Sequence, residues 1–175
     1  MSRRASHDRR KVAIIIGSDS DWPVMEACYK ILRQFDVPVE VQVLSAHRTP
    51  DKLSSFVRGA EERGVAVFIA GAGMAAALPG AVAACTPLPV IGVPLASGAL
   101  QGVDSLLSIV QMPPGVPVAT VAVGEGGACN AALLAVQIMG IGDPALAEEF
   151  KNYKRKQADS VDDKNQSLRA RLAHG

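Results

Sequence analysis

Hydrophobic positions along the chain fall into short unbroken runs. Each is followed by a polar or glycine-rich break and then by apolar residues at helical spacing. The first run, Val12-Ala13-Ile14-Ile15-Ile16, is mostly β-branched, as expected of a strand buried on both faces of a parallel sheet. After Gly17-Ser18-Asp19-Ser20-Asp21, the residues Met25, Cys28, Leu32 and Phe35 recur at helical spacing. Ser20 or Asp21 suits the N-cap and Pro23 the first turn. Residues 37–44 read as a second strand and 50–62 as a second helix with Leu53, Phe56 and Val57 on its inner face. Gly64 ends that helix, and residues 65–70 form the third strand. A small-residue helix to about Ala84, a strand over 88–93, a helix over 103–111, a strand over 116–123 and an apolar helix over 128–139 follow.

Strand, loop and helix thus repeat five times without a second-domain signal. The expected fold is α/β: a three-layer sandwich with a central parallel sheet, flavodoxin-like or Rossmann-like, plus a C-terminal helical arm. The expected organisation is a disordered basic leader over residues 1–11, one α/β domain over 12–142, and a C-terminal helix with a polar tail over 143–175. Residues 145–157 form a charged amphipathic helix with Leu146, Phe150 and Tyr153 at helical spacing, and residues 159–175 are expected to fray. The arm can dock on a neighbouring subunit or on its own.

Composition narrows the classes. Eighteen basic and seventeen acidic side chains leave a net charge of +1, which gives no reason to expect nucleic acid or a membrane surface as partner. Cys28, Cys85 and Cys129 lack metal-ligand spacing, the usage of a reduced, cytoplasmic protein. Residues 64–103 contain no charged side chain, forty in a row, and their prolines and glycines exclude a membrane span. A monomer shows charges on a solvent-facing helix within such a length. The helix after Gly73 is therefore expected to be covered nearly all round, and subunit packing is the simplest cover.

In an open parallel sheet, ligands sit at the carboxyl ends of the strands, at the switch point between the first and third. Gly17 to Asp21 offers hydroxyls, backbone N–H groups and the Asp21 carboxylate there. Ser45-Ala46-His47-Arg48 offers a guanidinium for phosphate and an imidazole for proton transfer; His47 is the one histidine away from the chain ends, besides His7 and His174. Taken alone, it fits a polar loop whose histidine caps or packs equally well. Gly71 and Gly73 let a planar ligand approach the backbone. Gly71-Ala72-Gly73-Met74-Ala75-Ala76 matches G-x-G-x-x-A, but the uncharged stretch holds no acidic residue for a ribose, which argues against a dinucleotide. No P-loop is present, the third strand ends in Ala70-Gly71 rather than a phosphoacceptor aspartate, and no G-x-S-x-G, Cys–His pairing or histidine cluster supports hydrolase or metal chemistry.

Gly17-Ser18-Asp19-Ser20-Asp21-Trp22, Ser45-Ala46-His47-Arg48-Thr49-Pro50, and Gly71-Ala72-Gly73 with Leu78-Pro79-Gly80 together resemble the PurE family. The runs from Asp104 to Pro113 and from Asn130 to Ala135 fit it too, so the resemblance spans about residues 12–139. The form resembled is class I, the N5-carboxyaminoimidazole ribonucleotide mutases of purine biosynthesis. It implies a cytoplasmic homo-octamer with sites at subunit junctions and neither metal nor organic cofactor. It implies decarboxylation of the N5-carboxylated ribonucleotide and recarboxylation at C4, with His47 as the proton shuttle. Ser18, Asp21 and Arg48 match ribose-phosphate ligands, and Ser20, Ser45, Ala46, Gly71 and Gly73 match residues lining the site. Two positions depart from the family's Gly-Ala-Gly-Gly-Ala-Ala-His-Leu-Pro-Gly: Met74 stands at its glycine and Ala77 at its histidine. The departure implies retained binding with reduced turnover; the alternatives are an aminoimidazole-ribonucleotide binder with little or no activity, a direct carboxylase, and an NAD(P)-linked oxidoreductase.

Overall fold

The computed structural model describes residues 10–173; the basic leader, apart from Arg10 and Lys11, and the last two residues lie outside them. Five parallel strands, β1 (Lys11–Ile16), β2 (Val39–Val43), β3 (Val65–Gly73), β4 (Val90–Leu95) and β5 (Ala119–Thr120), form one sheet in the order 2-1-3-4-5. That order is the flavodoxin-like one, with its switch point between β1 and β3. The register sets Ile14 beside Val41 on one side and Ile69 on the other, so the β1 run is buried between two neighbours.

The helices are α1 (Trp22–Gln34), α2 (Pro50–Arg58), α3 (Leu78–Ala83), α4 (Val103–Val110), α5 (Glu125–Gly140) and α6 (Pro144–Ala173). Alternation along β1 divides the core. Val12, Ile14 and Ile16 join Met25, Cys28 and Leu32 of α1 and the alanines of α5 on one face. Ala13 and Ile15 join Leu53, Val57, Leu78, Val82 and Ile109 on the other. Ala128, Ala131, Ala132 and Ala135 are fully buried, and their small side chains let α5 lie close on α1 in place of aromatic filling. Burial raises the Cys28 thiol, with a smaller contribution from Cys129, so Cys28 is a neutral core residue.

Several boundaries differ from the sequence reading, each for a local reason. The third strand runs on from Ala70 to Gly73, pairing Ala72 with Pro94 and Gly73 with Leu95. The fourth strand correspondingly begins at Val90 and ends at Leu95. The fifth shrinks to two residues, since Pro113, Pro114, Gly115 and Pro117 precede it and proline cannot donate to a ladder. Helix α2 stops at Arg58, four residues early, and turns lead to Gly64 at φ +80°. Arg63 pins this end, donating from Nη2 to the Phe56 carbonyl at 2.9 Å, lying 4.3 Å above the Phe56 ring, and pairing with Glu40.

The last helix corrects the reading most. Residues 159–173 do not fray but continue α6 as a single helix. Its first half lies on its own chain: Leu146 is buried, and Phe150 and Tyr153 pack on Phe35 with ring centroids 6.2 and 5.5 Å apart. Helix α3 is covered, but its own chain supplies the cover that subunit packing was expected to give. Leu78, Pro79 and Val82 are buried within the chain, whereas Leu100, Val103, Leu107 and Val110, on and before α4, are each at least half exposed. The exposed apolar surface nearest the uncharged stretch is therefore on α4 rather than α3. No described helix is long and apolar enough to cross a membrane.

Candidate functional site

The loop after β1 folds on itself through Ser18. A short 3-10 turn, Asp19–Asp21, precedes α1; Ser18 caps the turn, and Asp21 stands at the N-cap of α1 as expected, although its side chain makes no cap bond to that helix. Ser18 Oγ accepts from the Ser20 amide at 3.3 Å and from the Ser20 hydroxyl at 2.8 Å, while Asp21 Oδ2 accepts from the Ser18 amide at 3.1 Å. Serine capping and an acid three residues on answer each other reciprocally. Burial raises the Asp21 carboxyl above its ordinary value; the Ser18 and Gly17 amides and the Arg48 guanidinium act against that rise.

That direction gives a signed prediction. A carboxyl raised on folding contributes stability that is full below its unfolded pKa, about 3.8, and lost as pH rises through the folded value. Compared with Asp21→Asn by urea unfolding in mildly acid buffers, the natural chain should lose stability across that window; parallel pH profiles would contradict the assignment.

The loop after β2 is closed by Thr49, whose hydroxyl donates to the Ser45 carbonyl at 3.1 Å and accepts from the Ser45 amide at 3.0 Å. Ser45 Oγ accepts from the Arg48 amide and from Arg48 Nε, at 3.2 and 3.3 Å. Arg48 Nη2 then reaches across to donate to the Gly17 carbonyl at 3.0 Å. One side chain therefore joins the first two loops. Ala46 is half-buried behind this turn, and His47 is exposed at its tip.

The loop after β3 comes to the same edge. Gly71 is buried over α1, where a Cβ would fall 2.7 Å from Met25 Sδ. At Gly73 a Cβ would collide with the Ser97 hydroxyl of the next loop. Met74 and Ala76 then adopt left-handed conformations at φ +54° and +40°, and Ala77 is exposed at the N-cap of α3. Met74 is 60% exposed, so it gains little packing for its strained backbone. Met74→Gly should raise stability by about 1 kcal/mol, a rise of about 2–4 °C in Tm for a domain of this size. An unchanged or lower Tm in a thermal melt would count against that strain.

Sequence reasoning missed a fourth contributor. The loop over residues 96–102 follows β4, neighbour to β3, and so delivers Ser97 and Gly98 beside Gly73 and Met74. It is fixed by Ser105, a fully buried hydroxyl 3.0 Å from the Leu95 carbonyl and 2.9 Å from that of Gly102. The rule that every parallel strand sends its following loop to one edge contains this signal.

These loops define an α/β protein of flavodoxin-like fold whose polar shelf, with one arginine and one histidine, lies at the switch point. The profile of the AIR carboxylase family matches residues 11–160, and the chain belongs to that family, the PurE family. It is 57% identical over 166 residues to the N5-carboxyaminoimidazole ribonucleotide mutase of Mycobacterium tuberculosis (strain CDC 1551 / Oshkosh), covering 95% of this chain and 94% of that protein. The proteins of the same name from Pyrococcus abyssi and Escherichia coli K12 are 60% identical over 144 residues and 55% identical over 151; they cover 82% and 86% of this chain, and 82% and 89% of themselves. The crystal structure of Treponema denticola PurE superposes with a TM-score of 0.82 at 29% identity, covering 91% of this chain and 99% of that one.

Proposed function

We propose that this chain is an N5-carboxyaminoimidazole ribonucleotide mutase of purine biosynthesis, with turnover limited by Ala77. The observation that carries the reading is the Arg48–Gly17 tie, which joins the loop of His47 to the loop of Ser18 and Asp21. Arg48 is a phosphate ligand, with Ser18 and Asp21 on ribose and phosphate and Ser20, Ser45, Ala46, Gly71 and Gly73 lining the site. His47 gives a proton near N5, the bond from nitrogen to the carboxylate carbon breaks, and CO2 is released into the site. C4 of the ring then attacks that CO2, and His47 takes the proton that C4 sheds, so the imidazole ends as it began. A carbamate loses CO2 readily once its nitrogen is protonated, so one positioned acid/base group suffices. No metal or organic cofactor enters this scheme.

The active assembly is a homo-octamer in the cytoplasm, with α4's exposed apolar face as part of the contact. Its support is the uncharged stretch of residues 64–103 and the exposure of Leu100, Val103, Leu107 and Val110. Sedimentation of the purified chain should give about eight times its 18.2 kDa mass; a monomer would end this part of the reading.

Ala77 favours one second reading, a ribonucleotide binder with little activity. Both are separated by supplying the N5-carboxylated ribonucleotide and following the 4-carboxylated product chromatographically, with binding measured by calorimetry. Product formation supports the mutase, and binding without product the second reading. A parallel reaction given aminoimidazole ribonucleotide and bicarbonate detects direct carboxylation.

A further inference from the structure

Helix α6 is 30 residues long, yet its anchoring side chains, Leu146, Phe150 and Tyr153, all lie in its first third. From Lys154 to Ala173 every residue except Ser160 is exposed. The AIR carboxylase profile ends at residue 160, so most of this projecting segment lies beyond the family domain. A helix of that length with no tertiary contact is marginal in water.

The projecting half carries a seam. Ala158, Val161, Asn165, Leu168 and Leu172 follow one another at spacings of three, four, three and four, the a/d pattern of a two-stranded coiled coil with one polar a position. Val161, Leu168 and Leu172 are 63%, 46% and 74% exposed. Charge is segregated along the same stretch, with Asp159, Asp162 and Asp163 first and Lys164, Arg169 and Arg171 after them.

We propose that this half of α6 pairs antiparallel with the same segment of a second copy of the chain. Reversal sets Val161 level with Leu172 and Asn165 level with Leu168, filling each layer with one a and one d residue. It brings Asp162 beside the second copy's Arg169 on one flank and leaves Lys164 near Arg171 on the other. The two-fold axis then passes between residues 166 and 167, with the two Asn165 amides in adjacent layers beside it. A parallel pair would oppose Lys164 to Arg169 on both flanks and gain no attractive pair. A lipid surface is disfavoured, because three aspartates accompany the seam where an interfacial helix carries lysine and arginine.

The test uses the full chain carrying Val161→Cys and Leu172→Cys, oxidised at low micromolar concentration. The control carries Asp163→Cys and Ala170→Cys, which are also level with each other but lie on the outer face. Within one helix, residues 161 and 172 are about 16 Å apart, too far for a disulfide. Peptide mapping separates tail disulfides from those of the natural cysteines. The expected result is a covalent chain dimer joined 161 to 172, at least tenfold more abundant than the control's, and lost when Leu168→Asp is added. Dimers joined 161 to 161 and 172 to 172 would overturn the antiparallel pairing. A tail dimer no more abundant than the control's would overturn the proposal and leave the seam to α6's own chain or to another partner.

Discussion

Replacing His47 with asparagine is expected to lower turnover of the N5-carboxylated ribonucleotide by about a hundred- to ten-thousandfold, the usual contribution of a positioned acid/base group. Binding should stay within a few-fold. The reason for the split lies in the turn. Thr49 and Ser45 close it through their own hydrogen bonds, and Arg48 is held by Ser45 and Gly17, so none of these contacts passes through the imidazole. His47 is exposed at the tip, so the substitution leaves no core cavity and the fold should survive. The check is a pair of measurements on one preparation: chromatographic product formation, and calorimetric binding of aminoimidazole ribonucleotide. Near-natural turnover in the variant would remove His47 from the mechanism. Lost turnover together with lost binding would make it a ligand-positioning residue instead.

The second large effect runs the other way. Ala77→His should raise turnover by about 10- to 100-fold, the size of one hydrogen bond to a charged group that forms only in the transition state, about 1.5–3 kcal/mol. Ala77 is exposed and stands at the N-cap of α3, where no side-chain bond has to be broken to admit an imidazole. The preceding left-handed residues, Met74 and Ala76, fix the direction in which the chain enters that helix. Met74→Gly with Ala77→His installs both residues that the resemblance leads one to expect, and the pair shows whether the loop acts as a unit. Turnover unchanged in both variants would mark position 77 as tolerant and clear Ala77 of limiting the reaction.

Much of this was legible because the strands carry their own signal. A five-residue β-branched run such as 12–16 has one natural home, between two neighbours in a parallel sheet, and the glycine after it marks the ligand edge. The Ser-Ala-His-Arg stretch could be placed from the strand before it and the proline after it. What escaped depended on three-dimensional neighbours. Ser97 has nothing distinctive in sequence; it matters because β4 happens to lie beside β3 and carries it against Gly73. Asp21 occupies the N-cap position of α1 that spacing suggests, but its carboxylate turns back to the Ser18 amide, because the 3-10 turn before the helix has its own cap in Ser18. The tail over residues 159–173 looks polar enough to fray, because a seam of one residue in three or four is too sparse to lift its mean hydropathy.

The Arg48 contact to Gly17 has a consequence for substitution that charge alone would hide. A guanidinium has five N–H groups in a fixed fork; here one goes to Ser45 and one to Gly17, and three remain for an anion. Lysine would keep the positive charge but has no planar fork with which to hold both loops and meet a phosphate. Arg48→Lys is therefore an architectural change: it uncouples the loop of His47 from the loop of Ser18 and Asp21, and leaves each free to drift without the other.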